Sequence, residues 1–286
     1  MNIKKRKRVI IFSNVILLLV LLIIWIVWAN TALEVNTFTV KSKDLPASFN
    51  GYRIAHISDL HNAEIGDENS KLLSAIKSSN PDIIAVTGDL IDSNKTDIEI
   101  ALRFMAKAVE IAPCYYVTGN HESYMLEYNT LRNGLINSGV TVLENENISI
   151  SKSEEAIELL GVNDPEFKTD YSLDNAATIN NILSDLKSDK ESFTLLLSHR
   201  PELFDVYVNN DIDLILSGHA HGGQFRLPFV GGLVAPNQGV FPKYDAGLFS
   251  ENETNMIVSK GIGNSIIPVR FNNRPELVLI ELESLS

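Results

Sequence analysis

Five short apolar runs in this chain each end in Ser or Thr and lead directly into metal-ligating side chains. The runs are Tyr52–Ser58, Ile83–Thr87, Tyr115–Thr118, Thr194–Ser198 and Leu214–Ser217. They are followed by Asp59-Leu60-His61, Gly88-Asp89, Gly119-Asn120-His121, His199 and Gly218-His219-Ala220-His221. Runs of this length read as buried strands, and α/β sheets gather functional groups just beyond the carboxyl ends of their strands. Five of the chain's six histidines are spent this way. A common edge supplied with imidazoles, carboxylates and one amide is how a buried metal centre is built, so the chain reads as a metalloenzyme.

The intervening segments fit that layout. Ser70–Ser79 and Ile98–Ile111 carry apolar residues at helical spacing, and Glu127–Ser138 and Ile179–Leu186 read as further helices. Val140–Glu144, Ile148–Ser151 and Ile157–Val162 read as consecutive short strands, with a turn at Glu144–Asn147. The last third is strand-rich and punctuated by glycine, ending in Met256–Ser259 and Leu277–Leu282. Alternating strands and helices followed by strand clusters predict α/β layers with more than one sheet. Cys114, the only cysteine, excludes an intrachain disulfide and reads as a buried thiol.

The amino terminus is different. Lys4, Lys5, Arg6, Lys7 and Arg8 precede an uncharged stretch from Val9 to Trp28, interrupted only by Ser13 and Asn14. About 20 apolar residues cross a bilayer as a helix, and Trp25 and Trp28 sit where an interfacial aromatic belt forms. A cleaved export signal has a shorter apolar core and a small-x-small cleavage site, and neither is clear here; twin arginines are absent. The expected organisation is therefore a basic cytoplasmic segment (1–8), a membrane anchor (9–28), a connector (29–48) and a catalytic domain (49–286). The one-sided basic cluster puts the domain outside the cytoplasm, in a single-pass protein of the cell membrane. Of the formal net charge of −12, five positive charges belong to Lys4–Arg8, so the remainder carries −17. A domain that acidic repels polyanions, and no nucleic-acid partner is expected.

In order and without a gap, Asp59-x-His61, Gly88-Asp89, Gly119-Asn120-His121-Glu122, His199 and Gly218-His219-x-His221 resemble the signature of the calcineurin-like metallophosphoesterase superfamily. The resemblance covers about Arg53 to Leu282. Gly218–Gln224, Gly261–Ser265, Pro268–Arg270 and Arg274–Leu277 resemble membrane-associated bacterial members in particular, some of which act on lipid-linked or nucleotide-sugar phosphodiesters. It implies a four-layer α/β/β/α sandwich of two mixed sheets, with two divalent cations at the strand ends. It assigns Asp59, His61, Asp89 and His221 to one metal, and Asp89, Asn120, His199 and His219 to the other. Imidazole, carboxylate and amide ligation favours Mn²⁺, Fe or Zn²⁺. Two cations about 3.5–4 Å apart acidify water and clamp phosphoryl oxygens.

The same resemblance makes His121 a substrate-facing acid rather than a ligand, oriented by Asp92. Glu122 fits an acidic position that supports the loop. His56 reads as a core histidine, Asn62 as a turn residue with a possible reach to substrate, and Arg270 as either a phosphate contact or a structural arginine. The run Gly88–Ser93 lacks the Arg that Ser/Thr phosphoprotein phosphatases carry. No long cap insertion is present, since 145–190 reads as ordinary sheet and helix, which predicts an open, shallow site.

The function read from the sequence is a membrane-anchored phosphodiesterase or phosphatase acting on a phosphoester, including lipid-linked or cell-envelope ones. The alternatives are a pyrophosphatase for a UDP-2,3-diacylglucosamine-type lipid precursor, and a non-catalytic envelope-binding protein that merely holds metal. Cytoplasmic placement would favour the first, and loss of expected ligands the second; none is lost.

Overall fold

The computed structural model describes residues 3–186, 192–264 and 267–285. Residues 1–2 of the predicted cytoplasmic segment, the end of the 145–190 stretch, Ser265 and Ser286 lie outside the described residues. The chain begins with helix α1 (Ile3–Thr31) and strands β1 (Glu34–Ser42) and β2 (Arg53–Ile57). Then come α2 (Ser70–Ser79), β3 (Ile83–Thr87), α3 (Ile98–Ala108), β4 (Cys114–Val117), the single turn α4 (Asn120–Ser123), α5 (Tyr128–Asn137) and β5 (Thr141–Val142). The second half holds β6 (Glu146–Lys152), β7 (Glu155–Gly161), α6 (Asn175–Leu186), β8 (Thr194–Leu197), α7 (Phe204–Asn209) and β9 (Leu214–Ser217). Two small ribbons follow: β10 (Arg226–Leu227) with β11 (Gly231–Gly232), and β12 (Val234–Ala235) with β13 (Gly239–Val240). The chain closes with β14 (Gly247–Glu251), β15 (Thr254–Val258) and β16 (Glu276–Ser284).

Two six-stranded mixed sheets result, ordered β1-β16-β2-β3-β4-β5 and β14-β15-β9-β8-β7-β6. Three separate apolar cores define the four layers. Leu72, Ile76, Phe104, Met105 and Leu131 press the first helices onto Ile57, Ile84 and Val86 of the first sheet. Ile54, Ala85, Val117 and Ile280 meet Leu159, Leu195, Leu216 and Ile257 between the sheets. Ile179, Leu183, Phe204 and Tyr207 cover Leu196, Ile215 and Met256 on the far side. Strands buried on both faces need no alternation, which is why β3 reads Ile-Ile-Ala-Val-Thr with every residue buried. The helices need only one apolar stripe: α3 buries Ala101, Phe104, Met105 and Ala108, an i, i+3, i+4, i+7 pattern, and the Asp97 side chain caps it by accepting from Ile100 N.

The segment expected to be a connector is in part a strand. β1 pairs in parallel with β16 over its whole length, from Glu34 opposite Glu276 to Ser42 opposite Ser284. Its Val35, Thr37, Phe38, Thr39 and Val40, with exposure alternating along the run, are a local strand signal that the connector reading passed over; its distant partner is what no local pattern gives. The predicted turn at Glu144–Asn147 is shorter than expected: the chain bends at Glu144–Asn145 and β6 already begins at Glu146. α1 contains a 27-residue span, Lys5–Thr31, long and apolar enough to cross a membrane, and its apolar stretch is not buried in the domain. Cys114 is buried, and desolvation pushes its thiol up to about 12.

In both sheets the parallel strands finish together. Ile57 pairs with Val86 and Thr87 with Val117 in the first; Leu197 pairs with Leu216 and Ser217 with Val258 in the second. The loops beyond these registers converge on one edge of the sandwich.

Candidate metal centre

The loops are fastened to one another by backbone hydrogen bonds before any side chain is considered. Asp59 N donates to Gly88 O (3.1 Å), His61 N to Asp89 O (3.0 Å), Gly218 N to His199 O (3.2 Å) and Gly263 N to Asp59 O (2.7 Å). Asp59, His61, Asp89, His219 and His221 all adopt left-handed backbone, with φ between 45° and 64°. Such conformations cost non-glycine residues energy and persist where surrounding structure enforces them, typically at functional sites. Two glycines give the room. A Cβ at Gly218 would collide with Ser58 Oγ and Asp59 Oδ2, and one at Gly119 with Asp89 Oδ1.

The side chains divide into groups whose donor atoms lie within 4.8 Å of one another: Asp59, His61 and His221; and Asp89, His199 and His219. Metal–ligand bonds of about 2.0–2.2 Å place ligand atoms at such separations. Asp89 lies between the groups. Its Oδ2 is 3.2 Å from His199 Nε2 and 3.6 Å from His61 Nε2. Asp59 Oδ1 lies 3.3 Å from His221 Nε2, and His61 Nε2 lies 3.2 Å from His221 Nε2. With both rings protonated at Nδ1, His61 and His221 would bring Nε2 lone pairs together beside the carboxylates, an arrangement that suits a bound cation.

Unsatisfied atoms point the same way. Asn120 Oδ1 and His199 Nε2 are buried without a hydrogen-bond partner among the described residues. His199 Nδ1 lies 2.6 Å from Thr87 O. In the neutral ring that carbonyl takes the Nδ1 proton and leaves Nε2 facing Asp89 and the site, as ligating histidines are usually held. Buried polar atoms this close to one another without partners are rare unless something is coordinated. The residues present thus fit a divalent metal.

The electrostatics carry the same signature. Burial opposes the charge on Asp89, yet His199 and His61 hold its carboxyl well below the usual range. Burial likewise penalises Asp59, and His221, His61 and His199 more than offset it, again lowering the pKa. Desolvation works against protonating His199, but Asp89 lifts its imidazole to about 10. His221 is pushed by burial to about 3, and His219 falls well below its ordinary value through burial and the nearby Arg200. Without metal, the carboxylates borrow positive charge from some of the imidazoles that would otherwise be ligands.

His121 stands at the rim. Its ring centre is 4.5 Å from that of His61, and it forms a third close group with His61 and Asp89. Its Nδ1 accepts from Ser93 N (3.0 Å) with Ser93 Oγ at 3.1 Å. The orienting contact expected from Asp92 goes to Ser93 instead. Asp92 Oδ1 lies 3.8 Å from His121 Nδ1 and accepts from Asn94 N at 2.8 Å, so Asp92 shapes the turn that presents Ser93. Burial lowers the His121 pKa, against the pull of Asp89. A neutral ring accepting at Nδ1 carries its proton on Nε2.

The residues around the centre have structural roles. Glu122 accepts from the backbone N of Gly119, Asp89 and Leu90 at 2.7–2.8 Å, bracing two loops at once. Burial and Asp89 raise its pKa to about 7. His56 is buried with Nε2 2.8 Å from Thr87 Oγ1. Asn62 forms its turn, donating to Lys95 O. Arg270 is fully buried and donates to Gly263 O, Lys260 O and Asn264 Oδ1, so of its two readings the structural one holds.

One functional pair escaped the sequence. Arg200 is buried, gripped by both carboxylate oxygens of Asp164 at 2.5 and 2.8 Å, with Nη1 3.1 Å from His219 Nε2. The signal was available: the Ile157–Val162 run also ends in a polar pair, Asn163-Asp164, and Arg200 directly follows His199. Nor is the site a shallow surface. A cavity of about 710 Å³ opens over Asp89, His121, Arg200 and His221, with one wall formed by Val234–Asn237 and Ile267.

Known proteins resemble this sequence over most of its length. The chain is 29% identical over 260 residues to the uncharacterized metallophosphoesterase YkuE of Bacillus subtilis, covering 88% of this chain and 86% of that protein. It is 28% identical over 244 residues to the phosphodiesterase YaeI of Escherichia coli, covering 81% and 82%. It is 30% identical over 262 residues to a transmembrane protein with metallophosphoesterase domain from Bos taurus, covering 87% of this chain and 57% of that one. The calcineurin-like phosphoesterase family matches residues 52–223, which take in the five strand ends and their clustered side chains. That match spans more than half the chain, which therefore belongs to the calcineurin-like phosphoesterase family and is a phosphoester hydrolase of the metal-dependent kind.

Proposed function

We propose that this protein is a membrane-anchored phosphodiesterase or phosphatase with a dinuclear metal centre, acting on an amphiphilic or envelope-linked phosphoester outside the cytoplasm. The observation that carries the reading is Asp89, one carboxylate set between two groups of buried nitrogen and oxygen donors. Asp59, His61 and His221 would hold one ion, Asn120, His199 and His219 the second, with Asp89 shared. Divalent cations there, Mn²⁺, Fe or Zn²⁺, would supply Lewis-acid charge at the phosphoryl oxygens and an acidified water.

The chain's own residues supply the rest. The Nε2–H of His121, at the cavity mouth, donates to a phosphoryl oxygen or to the departing alkoxide, and the Ser93 N–H holds the ring in that tautomer. Arg200 presents charge to the cavity while Asp164 keeps it from swinging. Glu122 keeps the Asp89 and Asn120 loops at fixed separation. The reading is tested on the full chain in detergent, stripped with a chelator and reloaded with Mn²⁺. Hydrolysis of bis-p-nitrophenyl phosphate, p-nitrophenyl phosphate or a phospholipid is expected to vanish on stripping and return on reloading. Turnover that survives complete metal removal would overturn it.

The orientation is tested separately. The basic residues Lys4–Arg8 lie on one side of the apolar span, with no comparable cluster just after Trp28. Protease added to right-side-out membrane vesicles is expected to digest the catalytic domain. Protection there, with digestion only after the vesicles are opened, would place the domain in the cytoplasm and favour a lipid-precursor substrate.

A further inference from the structure

The end of α1 is bound into the catalytic domain. Asn30 Nδ2 donates to Arg270 O (3.0 Å), and Asn30 Oδ1 accepts from Arg270 N (2.8 Å). Arg274 donates to Ala32 O and Leu33 O, and its guanidinium lies 4.7 Å from the Trp28 ring centre. The segment 267–274 therefore grips the helix where its apolar span ends. That segment in turn holds the start of the two ribbons. Gln224 Nε2 donates to Ile267 O and Val269 O, and Arg226 N donates to Phe271 O.

From Arg226 the chain runs outward through Leu227-Pro228-Phe229-Val230. Phe229 is fully exposed, as are 57% of Val230, 66% of Val240 and 63% of Phe241. Large apolar side chains grouped on an exposed segment mark an interaction surface. The exposed Lys243 lies two residues beyond Phe241, where a long stem can lie along apolar surface with its ammonium at headgroup level. Val234–Asn237 of the same ribbons form a wall of the cavity over the metal-ligand cluster.

We propose that Leu227, Phe229, Val230, Val240 and Phe241 seat in the acyl layer of the leaflet from which α1 emerges, so that the cavity opens at the membrane surface. The partner is the bilayer itself, because the ribbons are hydrogen-bonded to the very segment that holds the helix exit. The inference rests on α1 crossing a membrane, as proposed above. A substrate with its phosphoester at headgroup depth would then reach the site without leaving the leaflet.

Because Cys114 is the only cysteine and is buried, a thiol-reactive fluorophore can be placed at single engineered sites in the full chain. The sites are Phe229→Cys, Leu19→Cys within α1, and Asn252→Cys in the exposed turn between β14 and β15, at the end of the sheet away from the metal-ligand cluster. In vesicles of phosphatidylethanolamine and phosphatidylglycerol, lipids with a spin label near the top of the acyl chain should quench position 229 several-fold more than position 252. Position 19 should also be quenched, by labels deeper in the chain. Quenching at 19 with 229 no better than 252 overturns the seat while leaving the anchor. Quenching at neither 19 nor 229 overturns both. If 229 is shielded from water-soluble quencher but not reached by lipid quencher, and the shielding scales with protein density, the surface belongs to a second copy and the proposal fails.

Discussion

Asp89→Asn is expected to abolish turnover with Mn²⁺ and to lower bound metal below two ions per chain. The substitution keeps the shape of the side chain and its acceptance of the His121 N–H, which engages Asp89 Oδ1 at 2.9 Å, so the loop should keep its course. What changes is charge. Asp89 Oδ2 faces both His199 and His61, and a neutral amide cannot offset the repulsion between two cations brought about 3.5–4 Å apart. Metal content by elemental analysis and turnover on a diester, measured on the same preparation, decide the matter. A variant that keeps two ions and near-native turnover would remove the shared carboxylate from the mechanism.

His121→Ala should separate chemistry from metal binding. With its imidazole at the cavity mouth and assigned to substrate, metal stoichiometry is expected to hold while kcat falls about 10²–10⁴-fold, the usual contribution of a positioned acid or base. The loss should be smaller for an aryl ester, whose leaving group needs little protonation, than for an alkyl ester. Equal losses on both would assign the ring to stabilising phosphoryl charge. Since His121 also lies close to His61 and Asp89, loss of an ion on substitution would make it a ligand and end its role as acid.

The strand ends were legible because each carried two independent marks: a buried apolar run that could only be a strand, and a ligand-type side chain immediately after it. Helices α2 and α3 were legible because one apolar stripe at a fixed spacing is a local property. β1 was passed over although Val35–Val40 carries β-branched and aromatic residues with alternating exposure; what stayed out of reach was its pairing with β16, which joins residues more than two hundred positions apart. The detail of how Asp92 meets His121 was out of reach for a finer reason: Asp92 stands 3.8 Å from Nδ1 while Ser93 makes the hydrogen bond. Asp92 and Ser93 are adjacent in sequence, and which of them meets Nδ1 depends on the turn that Asp92 itself caps. Arg200 with Asp164 was missed because an arginine beside a histidine has no periodicity to betray it; only the fold brings the carboxylate across. The cavity wall comes from the strand-rich, glycine-punctuated last third, where no residue marked which ribbon would face the site.

The position of β16 bears on how the enzyme comes into being. This strand lies between β1 and β2, yet among the described residues it is made after every other strand. Gly261 and Gly263, packed against Asp59, Leu60 and His61, emerge only shortly before it. A nascent chain would carry α1, β1 and β2 through most of its synthesis while its first sheet still lacked an inner strand and its Asp59 loop lacked the glycine-containing loop that packs on it. The sheet edge that carries Asp59 and His61 therefore closes only once Glu276–Ser284 has been made, and a chain truncated before Glu276 is expected to show no phosphoesterase turnover.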